Sequence, residues 1–249
     1  MRIKTWRGAV VFCVGVTAVA LVVGHAVSWF MLPRALFWEI FGLHNFFVMV
    51  IAPPIALWGG FQIRDRTLAM DRLQYMVNHD HLTQLFTRTR VIELAEHMGG
   101  QGQILLMDID HFKRINDSFG HLIGDRAIFE VGKTLASMIG PNDLAGRFGG
   151  EEFIVFLADC APVQGFDKAS ALCSAVAAAG FCDGRIGQLT LSIGVASQMQ
   201  GADIEAAMRR ADEALYTAKS NGRNRVCAHD GAAILHCGEK AFAIRAVAP

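Results

Sequence analysis

The sequence predicts an α+β domain carried behind a two-helix apolar hairpin. Two long apolar runs, residues 8–30 and 40–61, stand near the start of the chain. From residue 80 to residue 228, helical and strand periodicities alternate. Between two β-rich runs lies Arg147-Phe148-Gly149-Gly150-Glu151-Glu152-Phe153, whose paired glycines read as a tight hairpin turn.

Each apolar run is near the about 20 residues that a helix needs to span a bilayer. A cleavable signal peptide is the alternative for the first, given the basic residues before it and the small-residue pattern Ala18-Val19-Ala20. The run continues past that site, however, and the second run follows at once. Arg2, Lys4 and Arg7 precede the first run, Arg64, Arg66 and Arg72 follow the second, and the connection holds only Arg34 and Glu39. That bias predicts both termini in the cytoplasm with a very short outer turn. Neither span contains an acidic residue, which argues against a transporter or channel. His25, His44 and Asn45 lie inside the spans and fit either an input site or plain helix packing.

Residues 63–79 form a charged, helix-compatible link. Ile63, Leu68, Leu73 and Met76 make one apolar stripe, equally consistent with a dimerising stalk or a tether. Beyond it, Thr87–Met98 reads as a helix, Gln103–Ile109 as a buried strand, and Leu122–Ile139 as a helix with Ile128, Val131, Leu135 and Met138 on one face. Asp143–Phe148 and Glu152–Leu157 form the hairpin. Asp167–Ala179 reads as a helix, Gln188–Ala196 as a strand, Ile204–Lys219 as a helix and Asn224–Ala228 as a last short strand. The predicted arrangement sets helices against one face of a mixed sheet. The tail, 229–249, has no assignable pattern. Formal net charge is zero, which favours neither nucleic acid nor an acidic partner. The six cysteines show no metal-ligand or pairing spacing and are expected as free thiols.

Asp108-Ile109-Asp110 leaves the apolar strand, and Glu151-Glu152 sits on the Gly-Gly hairpin. Carboxylates on neighbouring strand ends suit a hard cation such as Mg²⁺, which prefers oxygen ligands and commonly bridges substrate phosphates. The glycines let a bulky ligand lie against the backbone. Asp110 fits a helix N-cap for the segment opening near His111. Lys219 and Arg223, near the end of a helix at Gly222, are cations the helix dipole alone would favour.

These residues also carry a family resemblance. Arg147–Phe153 is similar to the signature of the GGDEF domains, the diguanylate cyclases, in a Glu-Glu form. In matching order come Asp80-x-Leu82-Thr83, Asp108-Ile109-Asp110-x-Phe112-Lys113-x-Ile115-Asn116-Asp117 and Gly120-His121-x-x-Gly124-Asp125. After the signature follow Ser192-Ile193-Gly194-Val195-Ala196, Ala211-Asp212-x-Ala214-Leu215-Tyr216-x-Ala218-Lys219 and Gly222-Arg223-Asn224. The resemblance spans Asn78 to Val226 and narrows the fold to a ferredoxin-like core akin to nucleotide cyclases and polymerase palm domains. With the hydropathy and charge reading, the expected organisation is a hairpin over 1–62, a link over 63–79 and a GGDEF domain over 80–228, in a bacterial inner membrane with the domain in the cytoplasm.

The resemblance further implies the reaction: two GTP condensed to cyclic di-GMP and two pyrophosphates across a homodimer. Two Mg²⁺ per domain, replaceable by Mn²⁺, are implied on Asp108, the Ile109 carbonyl, Glu151 and Glu152. Glu151 and Glu152 are the implied catalytic acids, with the general base open between them. Asn116 and Asp125 are the implied guanine readers, with His121 near them. Guanine offers N1–H and N2–H₂ as adjacent donors to one carboxylate, and adenine has no matching pair. Lys219 and Arg223, with backbone N–H groups from His111 through Phe112 to Lys113, are implied at the phosphates.

Two departures stand out. The family's Arg-x-x-Asp product site corresponds to Gly140-Pro141-Asn142-Asp143, so product inhibition there is not expected. In the opening Leu82-Thr83-Gln84-Leu85-Phe86-Thr87-Arg88, Gln84 stands for a glycine and Thr87 for an asparagine. A silent nucleotide-binding module is the competing reading, disfavoured because Asp108, Glu151 and Glu152 are all kept. A cyclase of relaxed base choice is disfavoured by Asp125.

Overall fold

A computed structural model describes residues 5–181, 186, 188–229 and the backbone of 234–237. Arg2, Lys4, Cys182 and most of the 229–249 tail lie outside the described residues. The chain divides into two units, Met1–Tyr75 and Met76–Pro249.

In the first unit, α1 (Trp6–Met31) opens on Thr5, whose hydroxyl accepts from the Gly8 amide. Helix α2 (Arg34–Asn78) begins at Arg34 rather than Ile40. It runs through Pro53, Pro54 and the stretch expected as a separate link. Apolar flanks leave backbone groups no partner outside the helix, which favours continuation past the prolines. The two helices pair antiparallel. Ala9 lies against Gly60, Cys13 Sγ reaches the Pro53 carbonyl at 3.5 Å, and His25 Nε2 bonds Asn45 Oδ1 at 3.0 Å. Both helices are long and apolar enough to cross a membrane.

The second unit holds β1 (Phe86–Thr87), α3 (Arg88–His97), β2 (Gly102–Ile109), α4 (Phe112–Phe119), α5 (His121–Met138), β3 (Leu144–Gly149) and β4 (Glu152–Ala158). It continues with α6 (Pro162–Ala178), β5 (Leu191–Gln198), α7 (Ile204–Ser220), β6 (Arg225–His229) and β7 (Ile234–Cys237). The sheet order is β1-β3-β4-β2-β5-β6-β7. Its centre, β3-β4-β2-β5, is antiparallel and ferredoxin-like, while β1–β3 and β5–β6 are parallel pairs.

Helices cover both faces of this sheet, not one as expected. Leu105, Met107 and Ile109 point into one core with α4, α5 and α6; Ile104 and Leu106 point into another with α3 and α7. The sequence of β2 already contains the reason, because an unbroken apolar run has no face suited to water. Helix α6 starts at Pro162 rather than Asp167, since proline's fixed φ suits the first helical position. The expected free thiols hold for Cys13, Cys160 and Cys173. Cys227 is disulfide-bonded instead, and its register partner is Cys237 on β7.

Gly194 sets how closely α7 lies on β5. A Cβ there would collide with the Ala211 carbonyl and the Leu215 amide, both backbone groups that cannot swing away. Gln84, where the family pattern has a glycine, takes the left-handed conformation that glycine adopts most readily, at φ +60°. The Gln84 amide donates to the Asp80 carbonyl at 2.9 Å. The Asp80 carboxylate accepts from the Thr83 amide and hydroxyl, each at 2.8 Å, and pairs with Arg147 at 3.2 Å. Burial pushes this carboxyl up, but the Thr83 bonds and then Arg147 outweigh it and hold it below the ordinary aspartate value.

Gly194→Ala is expected to destabilise the fold by about 3 kcal/mol, near the upper end of ordinary overpacking costs, as read by urea denaturation. The lowered Asp80 pKa contributes stability that is complete above the unfolded-state value and is lost as pH falls through the folded value. The stability gap between wild type and Asp80→Asn should therefore be constant near neutrality and close as pH drops below roughly 4.

Candidate active site

Strand β2 carries Asp108 to the edge of the buried sheet, one position before the strand ends. Its Cα partners are Glu152 on β4 and Ser192 on β5. The β3–β4 turn bends back at Gly150, φ +55°, and the register shifts between Arg147 and Gly149. Glu151 therefore lies in the turn and not on a strand, while Glu152 opens β4. Arg147 braces the turn, with Nε donating to the Gly150 carbonyl at 2.8 Å while Nη1 holds Asp80.

This geometry gathers negative charge. Burial pushes the Asp108 carboxyl above its ordinary value; the Lys219 hydrogen bond and charge pull it back, and Glu151 and Asp110 push it up again. Burial also raises Glu152, Asp108 adds to that rise, Lys219 opposes it, and Glu151 and Asp212 add further. Lys219 Nζ, in the last turn of α7, lies 2.8 Å from Asp108 Oδ2. Among the described residues, no three His, Cys, Asp or Glu side chains form a ready-made metal cage. What the site offers is hard oxygen donors with excess negative charge, of which one lysine offsets part. That donor set fits Mg²⁺ or Mn²⁺.

Helices α4 and α5 form a second cluster. His111 takes the left-handed conformation, φ +56°, and starts α4 without a side-chain cap. Phe112 is buried, whereas Lys113 is exposed. Asn116 Oδ1 is buried with no hydrogen-bond partner in the protein. Gly124 makes room for it, since a Cβ there would collide with the Asn116 oxygen. An orphaned buried acceptor points to a donor supplied from outside the chain. Asp125 is exposed on α5 one helical turn beyond His121, which is exposed where that helix opens.

Asp108, Glu151, Glu152 and Lys219 thus form one charged group, and Asn116, Gly124 and Phe112 another. Among the described residues Arg223 makes no ion pair with the acids; it sits in the α7–β6 turn at φ +63°. Asp110 is not the N-cap expected of it. It is buried and accepts from Thr190 Oγ1, Ser192 Oγ and the Asn224 amide. The bracing by Arg147 was also not foreseen, although its pairing of two separate motifs, at Asp80 and at the signature, was a usable signal. Asp143 is committed inside the protein: it accepts from the Gly140 and Ala158 amides at 2.9 and 3.2 Å and from Lys168 Nζ at 3.0 Å.

Residues 69–225 match the family model described as "Diguanylate cyclase, GGDEF domain". Over 199 residues the chain is 34% identical to diguanylate cyclase DgcM of Escherichia coli K12, covering 73% of this chain and 47% of DgcM. The chain thus spans about half the length of that curated relative. Among solved structures, the coiled coil and GGDEF domain of DgcB from Caulobacter crescentus, in complex with c-di-GMP, superposes with a TM-score of 0.64 at 28% identity. The match covers 69% of this chain and 95% of that one. The active GGEEF domain of a diguanylate cyclase from Vibrio cholerae gives a TM-score of 0.51 at 36% identity, covering 57% and 91%. With a family model that takes in most of its length and a sheet of the same architecture, the chain belongs to the GGDEF-domain family.

Proposed function

We propose that this chain is a membrane-anchored diguanylate cyclase that joins two GTP into cyclic di-GMP with release of two pyrophosphates. The observation that carries the reading is the pairing of two clusters in one unit: Asp108, Glu151, Glu152 and Lys219 at the strand ends, and the orphaned Asn116 oxygen beside Gly124 on α4 and α5.

Guanine supplies the donors that Asn116 lacks, and Asp125 accepts the N1–H and N2–H₂ pair. The backbone N–H groups of Phe112 and Lys113 open α4 toward the phosphates. Lys219 and Arg223 offset charge on the pyrophosphate as it leaves. Mg²⁺ held by Asp108, the Ile109 carbonyl, Glu151 and Glu152 would neutralise the triphosphate and acidify the attacking hydroxyl. The 3′-oxygen of one GTP bonds to the α-phosphorus of the other, the bond to pyrophosphate breaks, and the hydroxyl proton passes to a carboxylate of the Glu151–Glu152 pair. As in phosphoryl transfer generally, the protein's share is positioning and charge stabilisation.

Each GGDEF domain binds one GTP, so two copies must face each other and the active species is a homodimer. The α1–α2 hairpin anchors it in the bacterial inner membrane, with Arg64, Arg66 and Arg72 on the cytoplasmic side. Product inhibition through the Gly140–Asp143 loop is absent, because Asp143 is spent on internal partners and no arginine accompanies it.

Full-length protein in detergent with GTP and Mg²⁺ is expected to yield cyclic di-GMP, resolved by chromatography and mass. Glu151→Gln should lower the rate by about 10²-fold or more; GTP bound but never converted by wild type would identify a silent binding module instead. Asp125→Asn should reduce the preference for GTP over ATP by roughly 10-fold or more, the worth of a bidentate base contact. Added cyclic di-GMP should inhibit wild type and Asp143→Ala to the same small extent.

A further inference from the structure

Asp110 is 6% exposed, and both of its carboxyl oxygens accept hydrogen bonds. Oδ1 accepts from Ser192 Oγ at 2.7 Å. Oδ2 accepts from Thr190 Oγ1 at 2.7 Å and from the Asn224 amide at 2.9 Å. Two of these donors belong to β5 and the residue just before it. The third belongs to the turn that joins α7 to β6. Both oxygens of Asp110 are thus tied to the fold, although it stands only two residues from Asp108.

That turn is the unusual partner. Helix α7 ends at Asn221, Gly222 turns left-handed at φ +109°, and the Arg223 amide returns to the Ala218 carbonyl at 3.0 Å. This is the Schellman closure of a helix. The chain then stays left-handed through Arg223 and Asn224, at φ +63° and +46°. Two successive residues with side chains rarely adopt that conformation, and it persists only where the surroundings over-determine it. Two groups fix Asn224. The Asp110 carboxyl accepts its backbone N–H at 2.9 Å, and the Cys173 thiol lies 3.5 Å from its side-chain oxygen. Arg223 is thereby pinned at its own amide and at the next one.

We propose that Asp110 is the positioning residue for Arg223. It holds the α7–β6 turn so that this guanidinium, together with Lys219 one helical turn earlier, meets the β- and γ-phosphates of the bound nucleotide. The proposal rests on the reading of this site as a GTP site. The two aspartates of the Asp108-Ile109-Asp110 motif then divide their work: Asp108 faces the charged cluster, and Asp110 fixes from behind the turn that supplies the second cation.

The test is a double-mutant cycle on the full-length protein in detergent, measured as equilibrium binding of α,β-methylene GTP and, separately, of GMP. Arg223→Ala and Asp110→Ala should each weaken the triphosphate about tenfold, and the double variant should be no weaker than either single one. GMP, which lacks the outer phosphates, should bind all variants alike. Thr190→Val and Ser192→Ala, which remove donors on the sheet side only, should leave triphosphate affinity unchanged. Should Asp110→Ala not fold, Asp110→Ser carries the same cycle, because it keeps a hydroxyl for β5 and is too short to reach the Asn224 amide. Losses that multiply to about a hundredfold, or an equal loss for GMP, would overturn the proposal and leave Asp110 as a fold residue. Wild type that binds neither nucleotide would instead remove the GTP reading itself.

Discussion

The whole of the second unit depends on burying β2 on both faces, since all eight of its residues are out of water. Such a strand cannot form at an edge, nor in a sheet with one wet side, so it draws partners on each flank and helices above and below. Its flanks are β4 and β5, and these deliver Glu152 and Ser192 to the level of Asp108. The charged group is thus a by-product of register. Once β2 is fixed between its neighbours, the acids have no other place to be.

The same burial explains why the charges are poorly satisfied. A carboxylate at the end of a buried strand keeps little of its hydration, and two more stand nearby. One lysine from α7 answers part of that charge, and α7 reaches it because Gly194 lets the helix lie directly on β5. Packing and electrostatics therefore meet in one element. The close approach that gives the second core its density is also what sets Lys219 at Asp108.

Much of this was legible in the sequence. Strand β2, helices α5 and α7 and the β3–β4 hairpin were readable because their periodicity is strong and their ends are marked by glycine. The acids and Lys219 were readable because their motifs sit at those ends. What escaped depended on partners far along the chain. Covering of the second sheet face needed the whole topology, and the bond from Asp110 spans 114 positions. The continuity of α2 escaped for a different reason. Two adjacent prolines usually stop a helix in water, whereas an apolar environment removes the alternative partners that would make stopping favourable.

The negative charge that Lys219 leaves unanswered at Asp108 and Glu152 also bears on how long the protein lasts. Any species that binds the folded form and neutralises that charge stabilises it by mass action. The empty site is then the weakest condition of the domain, and filling it withdraws the chain from the unfolded population on which proteases act. Under the proposed function, the lifetime of the protein in its host is in this way tied to the pool of cations and nucleotides, so scarcity lowers the amount of protein as well as its occupancy.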